Sequence, residues 1–245
     1  MTMRTKLSAA VQLTILLLLS PLLVQALPNF AHYQPLSKRK QAFIQYLLPY
    51  TLQADKQVLA QRQSIDMLAT QWRADHALPR YDRRWLKTIA KQYKVTDWDI
   101  NRPASWKTLL KRVDIIPPSM VLAQAANESG WGTSRFAREG NNLFGQWCYV
   151  NGCGMIPARR NPGATHEVKT FPNVEQSIAI YIQNLNTNVH YRTMRNIRLS
   201  LRARSQPLTG NALIAGLAKY SGRGTAYIGS IRTIIKANGL AKYDG

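Results

Sequence analysis

Acidic side chains are the scarce class in this 245-residue chain: 12 Asp and Glu stand against 33 Lys and Arg, a formal net charge of +21 at pH 7. So lopsided a surface requires an anionic partner, of which an acidic polymer, lipid phosphate and nucleic acid are the candidates. Lysine and arginine are spread over the whole chain, denser from Arg192 to Arg204, and no nucleic-acid-binding motif accompanies them, which sets nucleic acid aside. Histidine and cysteine are equally sparse. The four histidines (His32, His76, His166, His190) show no ligand spacing and two cysteines supply too few ligands, which argues against a metal site. No cofactor is implied, and no internal repeat or low-complexity tract occurs beyond the apolar N-terminus.

That N-terminus reads as a secretory signal over residues 1–26: Arg4 and Lys6 form the positive end, Leu13 to Val24 the apolar core, and Val24-Gln25-Ala26 the small-residue cleavage site. An uncleaved anchor is the competing reading, and it would leave a transient membrane association through this segment. The apolar core is short for a span and carries Pro21, which favours cleavage after Ala26 and export to the periplasm. In that oxidising compartment Cys148 and Cys153, separated by the tight-turn signal Asn151-Gly152, are expected to close a disulfide across a short hairpin. Its small ring is worth about 2 kcal/mol on a chain-entropy basis.

Residues 27–114 read as a helical extension. Phe43, Tyr46 and Leu47 form one stripe, Pro49 is expected to kink or restart the helix, and Val58, Leu59, Ile65 and Leu68 continue it. Pro79 ends that region, and Trp85, Ile89, Ala90 and Tyr93 line a second amphipathic segment. Residues 115–245 form the second unit. Pro117-Pro118-Ser119 starts a helix, residues 145–170 suggest a small β-hairpin lobe or flap, and Asn173-Val-Glu-Gln176 resembles a capping box. Ile178, Tyr181, Ile182 and Leu185 share one face of the following helix, and two more helices are expected over 212–219 and 226–238.

Chemistry concentrates in Val121-Leu-Ala-Gln-Ala-Ala-Asn-Glu128-Ser-Gly-Trp-Gly-Thr133. Val121, Leu122, Ala125 and Ala126 recur at helical spacing, so the run is a buried helix, and Gly130 stops it. A glutamate at a helix end is ordinarily solvated, and it opposes the negative end of the helix dipole. An acid placed where it costs stability, beside Ser-Gly-Trp-Gly rather than among lysines, points to function. Half-desolvation raises the pKa of such a carboxyl and keeps it a proton donor, the chemistry that glycosidic cleavage needs.

Ala123 to Ser134, followed by Asn-Leu-Phe-Gly from Asn142 to Gly145, resembles the glucosaminidase domain of bacterial cell-wall autolysins and flagellar peptidoglycan hydrolases. The extension to Gln146-Trp147-Cys148 is similar to that of the Bax-type members of Gram-negative bacteria. The resemblance covers about residues 115 to 240. It implies a mainly α (α+β) protein: a lysozyme-like helical core with a small β-hairpin lobe and, here, an N-terminal helical extension. It also implies hydrolysis of the β-1,4 bond between N-acetylglucosamine and N-acetylmuramic acid, with peptidoglycan glycan strands as partner and their stem-peptide carboxylates as the match for the positive charge.

On this resemblance Glu128 is the general acid and Glu167, in the β lobe, the second carboxylate; Glu139 and the substrate's own 2-acetamido group are the alternatives for that second role. Tyr220-Ser-Gly-Arg-Gly-Thr-Ala-Tyr227 resembles the family's paired-tyrosine segment, although the commoner form has Thr-Asp after the first tyrosine and one residue fewer between the two. Tyr227 is expected beside the reaction centre. Gln124, Trp131, Asn142, Phe144 and Tyr220 are expected in the substrate groove, with the alternatives that Trp131 plugs the helix end and Tyr227 is only core. A lytic transglycosylase uses one glutamate on the same kind of helix, but typically carries Gly-Leu-Met-Gln where Asn142-Leu-Phe-Gly145 stands here. A catalytically inert wall-binding protein is the remaining rival.

Overall fold

The run from Pro118 to Ser129 (α4) is buried at every position from Pro118 through Ala126, leaving only Asn127 and Glu128 half-buried near its end. A helix apolar on all sides belongs at the centre of a fold, and the computed structural model, which describes residues 27–158 and 160–244, places it there. The signal segment read over residues 1–26 lies outside the described residues. Around α4 stand α1 (Leu36–Asp75), α2 (Arg80–Gln92), α3 (Pro103–Arg112), α5 (Arg135–Gly140), α6 (Val174–Thr187), α7 (Arg192–Ala203), α8 (Gly210–Leu213) and α9 (Thr225–Ala237). Three short strands, β1 (Trp147–Cys148), β2 (Gly154–Met155) and β3 (Glu167–Lys169), make the lobe between α5 and α6. The protein is thus predominantly helical with a small β lobe and a helical N-terminal extension.

Helix α1 runs unbroken through Pro49, against the expected kink or restart. Pro49 is exposed, so water can bond the carbonyl that its missing N–H leaves free, while Phe43, Ile44, Leu47, Thr51 and Ala54 stay buried on either side. The extension does not fold apart from the rest: α1 packs on α4 and α6, and one cluster of buried side chains runs from Leu27 to Leu240. The boundary expected between residues 114 and 115 falls in the loop between α3 and α4, inside that shared core. No helix among the described residues is long and apolar enough to cross a membrane.

Both ends of α4 are held by side chains from distant parts of the chain. At its start Asp244 accepts hydrogen bonds from the Ser119 N–H (2.9 Å) and hydroxyl (2.7 Å) and from Gly210 N–H (2.9 Å), placing a carboxylate against the positive end of the helix dipole. The preceding loop is clamped by Asp114, which receives two hydrogen bonds from Arg202 (3.2 and 2.8 Å) and pairs with Arg62 and Arg198. Arg198, buried on α7, also donates to the carbonyls of Asp114, Ile115 and Lys111. At its far end Gly130, Trp131 and Gly132 are all left-handed (φ 58°, 61° and 76°). The second glycine is dictated by space, because a Cβ at Gly132 would come within 2.4 Å of the Phe30 ring.

The lobe is a sheet of order β1-β3-β2 in which β3 pairs antiparallel with both neighbours, Trp147 and Met155 each facing Val168. The expected hairpin is therefore corrected: β1 and β2 flank β3 rather than each other. The loop joining them is closed by the Cys148–Cys153 disulfide. Sequence periodicity also missed α5 and α7, and the helix expected over 212–219 is only α8 followed by a 3-10 turn, Ile214–Gly216. Asn173 caps α6 as expected, accepting from Gln176 N–H.

Candidate active site

Glu128 sits on the last turn of α4, at the wall of a cavity of about 740 Å³ that also takes in Phe144, Gln146, Trp147, Asn184 and Tyr220. That volume lies in the usual range for ligand sites. Glu128 is the one carboxylate among the described residues of the lining. Asn127 Nδ2 donates to its Oε1 at 3.0 Å. Beneath it runs a buried chain of donors: the Tyr181 hydroxyl donates to Gln124 Oε1, and Gln124 Nε2 donates to the Tyr227 oxygen at 2.7 Å. The Tyr227 hydroxyl keeps its own proton for Glu128, which is within hydrogen-bonding reach.

These phenols stay protonated. Burial, reinforced by neighbouring phenols and by Glu128, pushes Tyr181, Tyr220 and Tyr227 well above the ordinary tyrosine range, and burial raises Tyr191 as well. Tyr220 stacks on Tyr227 (5.4 Å, 12°) and Phe144 on Tyr181 (3.9 Å, 10°), so the aromatic wall is one packed unit.

Of the residues expected in the groove, Phe144 and Tyr220 line the cavity. Gln124 has no exposed surface, and both ends of its amide are taken by tyrosines. Asn142 is also buried: it donates to the carbonyls of Gln146 and Lys169 and accepts from the N–H groups of Phe144 and Gln146. These two amides brace the site from behind. A polar residue within a motif reads from sequence as a ligand contact whether or not its amide is already satisfied. Trp131 packs edge-on against Phe43 at 5.7 Å with Lys40 over its ring, and it lies outside the cavity lining, the plug of the two readings.

Glu167 and Glu139 are not among the residues that line the Glu128 cavity. The Glu167 carboxylate is buried in the lobe and accepts from the N–H groups of Gly152 (3.0 Å) and Gly154 (2.7 Å), bonds that hold its pKa below the usual carboxylate value. Glu139 is exposed on α5. Cys148, Cys153 and Glu167 lie together, but with both sulfurs in the disulfide they are no metal site. What sequence reading missed is the amide-rich wall of Gln146, Gln183, Asn184 and Asn188, and the exposed Trp147 and Tyr149 at the lobe edge. The i, i+4 spacing of Asn184 and Asn188 at the end of α6 was the available signal. Neutral amides suit acetamido groups, and exposed aromatic faces suit sugar rings.

The family model described as mannosyl-glycoprotein endo-beta-N-acetylglucosaminidase matches residues 104–240. Protein bax of Escherichia coli (strain K12) is 39% identical over 203 residues, spanning 82% of this chain and 70% of that protein. Among solved structures, the catalytic domain of the autolysin Auto from Listeria monocytogenes aligns at 20% identity over 71% of this chain and 96% of that chain, with a TM-score of 0.39.

Proposed function

This chain belongs to the glucosaminidase family of glycoside hydrolases, and we propose that it cleaves the β-1,4 bond between N-acetylglucosamine and N-acetylmuramic acid in peptidoglycan, with Glu128 as general acid. The observation that carries this reading is that, among the described residues, Glu128 is the one carboxylate lining the cavity, at the end of a packed helix and beside phenols that remain neutral. Glu128 donates its proton to the leaving glycosidic oxygen. The Tyr227 hydroxyl then stabilises the carboxylate so formed, and the same carboxylate takes a proton from the incoming water.

The second role goes to the substrate's acetamido group, whose carbonyl oxygen is suited to attack the anomeric carbon as the glycosidic bond breaks; water then attacks that carbon, breaks the new carbon–oxygen bond and restores the acetamido group. Supporting this is the commitment of Glu167 to loop amides and the exposure of Glu139. Residues 115–245 are the catalytic unit and 27–114 an extension built onto it. Export to the periplasm, with removal of residues 1–26 and of their Arg4 and Lys6, places the protein where its substrate lies, and the remaining charge of +19 draws it to the acidic wall.

The test is Glu128→Gln. Turnover of peptidoglycan should fall by about 10²–10⁴-fold, the usual span of a general acid, while co-sedimentation with sacculi is retained. Equal clearing of a peptidoglycan gel by variant and parent would remove Glu128 from the chemistry.

A further inference from the structure

Along α2 and the turn after it, Arg83, Lys87, Lys91 and Lys94 recur at one-turn spacing and line one side of a second cavity of about 730 Å³, with Val95, Trp98 and Ile100 among its other walls. Like charges at this spacing repel, and among the described residues none of the four forms an ion pair. The one acid in the lining, Asp99, turns Oδ1 to the N–H and side-chain amide of Asn101.

This groove neighbours the Glu128 cavity, with Lys94 lining both. The junction is built. Lys94 is held in the left-handed region (φ 55°), a conformation a non-glycine residue adopts at a cost. Arg112 bonds the Tyr93 carbonyl at 2.9 Å and also that of Lys94, and Gln183 Nε2 bonds the Gln92 carbonyl at 3.0 Å. Gln183 is itself a wall of the Glu128 cavity, so the cationic stripe sits in fixed register with the glutamate.

We propose that the α2 groove binds the carboxylates of the stem peptides carried by a glycan strand seated in the Glu128 cavity, a reading that rests on the proposed peptidoglycan substrate. The lysines and Arg83 take the carboxylates, and Trp98 and Ile100 face the aliphatic parts of the peptide. The occupant follows from charge complementarity and from that adjacency: Lys94, the residue shared by the two cavities, stands where a peptide branch leaving a sugar in the catalytic cavity would enter the groove.

The test is co-sedimentation of the parent, a Lys87→Gln/Lys91→Gln variant and an Arg232→Gln/Lys236→Gln control with intact sacculi and with the same sacculi stripped of peptides by an amidase. All four substituted side chains are exposed, so folding should be unaffected. The α2 variant should lose about tenfold in affinity for intact sacculi and less than twofold for stripped ones, with the control within twofold of the parent on both. Equal losses on both materials, a matching loss in the control, or no loss at all would overturn the proposal. So would an affinity drop seen only with phosphatidylglycerol vesicles, which would assign the groove to a lipid surface. Cleavage of intact sacculi by the parent is scored separately: its absence counts against the hydrolase reading, while the binding ratio still decides the groove.

Discussion

Tyr227 has its oxygen bonded by Gln124 and its proton free for Glu128. A hydrogen bond to a charged group is worth roughly 1.5–3 kcal/mol, so Tyr227→Phe should lower kcat by about ten- to a hundredfold with KM little changed. Steady-state kinetics on peptidoglycan fragments check this, and an unaltered kcat would make Tyr227 core alone. At this scale the sequence was most legible where a residue type has one use. Glu128 between an apolar helix and Gly-Trp-Gly, and Tyr227 at the head of an isoleucine stripe, lie where the pattern puts them. Gln124 and Asn142, expected in the groove, lie buried with their amides satisfied; an amide serves a sugar or a protein partner equally well, and only burial separates the two.

The β lobe tests the division of labour between the carboxylates. Glu167 joins β3 to the disulfide loop through Gly152 and Gly154 N–H. Because those bonds lower its pKa, they stabilise the lobe above the ordinary carboxylate value near ~4.3 and are lost as pH falls through the lowered one. The protection factors of the Gly152 and Gly154 amides, corrected for the intrinsic pH dependence of exchange, should therefore fall in acid, and Glu167→Gln should lower them in the same way at neutral pH. That variant should retain kcat to within a few-fold; a large loss of kcat with the lobe amides still protected would return Glu167 to the chemistry. Elements showed themselves in the sequence when their buried faces are apolar, as in α4, α6 and α9. Helix α7 went unread because Arg195 and Arg198 fill its buried face and count in any pattern as surface.

Across the whole molecule, the charges buried around the start of α4 set the response to pH. Burial, with Asp114 and Asp244 nearby, pushes Asp55 up to about 7 against the pull of Ile116 N–H and Arg198. A raised carboxyl binds its proton more tightly folded than unfolded, so stability should decline from about pH 4 to pH 7 and then level off. Asp55→Asn should remove that decline, leaving Tm near the parent's at pH 4 and raising it at pH 8. The ceiling is roughly 4 kcal/mol, at about 1.4 kcal/mol for each pH unit between the folded and free carboxyl. Parallel melting curves for the two proteins across that range would refute the assignment. Arg198→Leu, which strips the buried Asp114 of a partner and frees three carbonyls, should cost about 3–5 kcal/mol by chemical denaturation. Composition anticipated none of this, since charge counts do not say which charges are buried. It did expose the cationic surface and the division into helices and lobe.

The most direct trial of the central claim is mass spectrometry of the fragments the purified protein releases from peptidoglycan. Hydrolysis after N-acetylglucosamine, with Glu128 as the general acid, should yield fragments ending in reducing N-acetylglucosamine and carrying the mass of one added water. Anhydro ends, or reducing N-acetylmuramic acid, would contradict it.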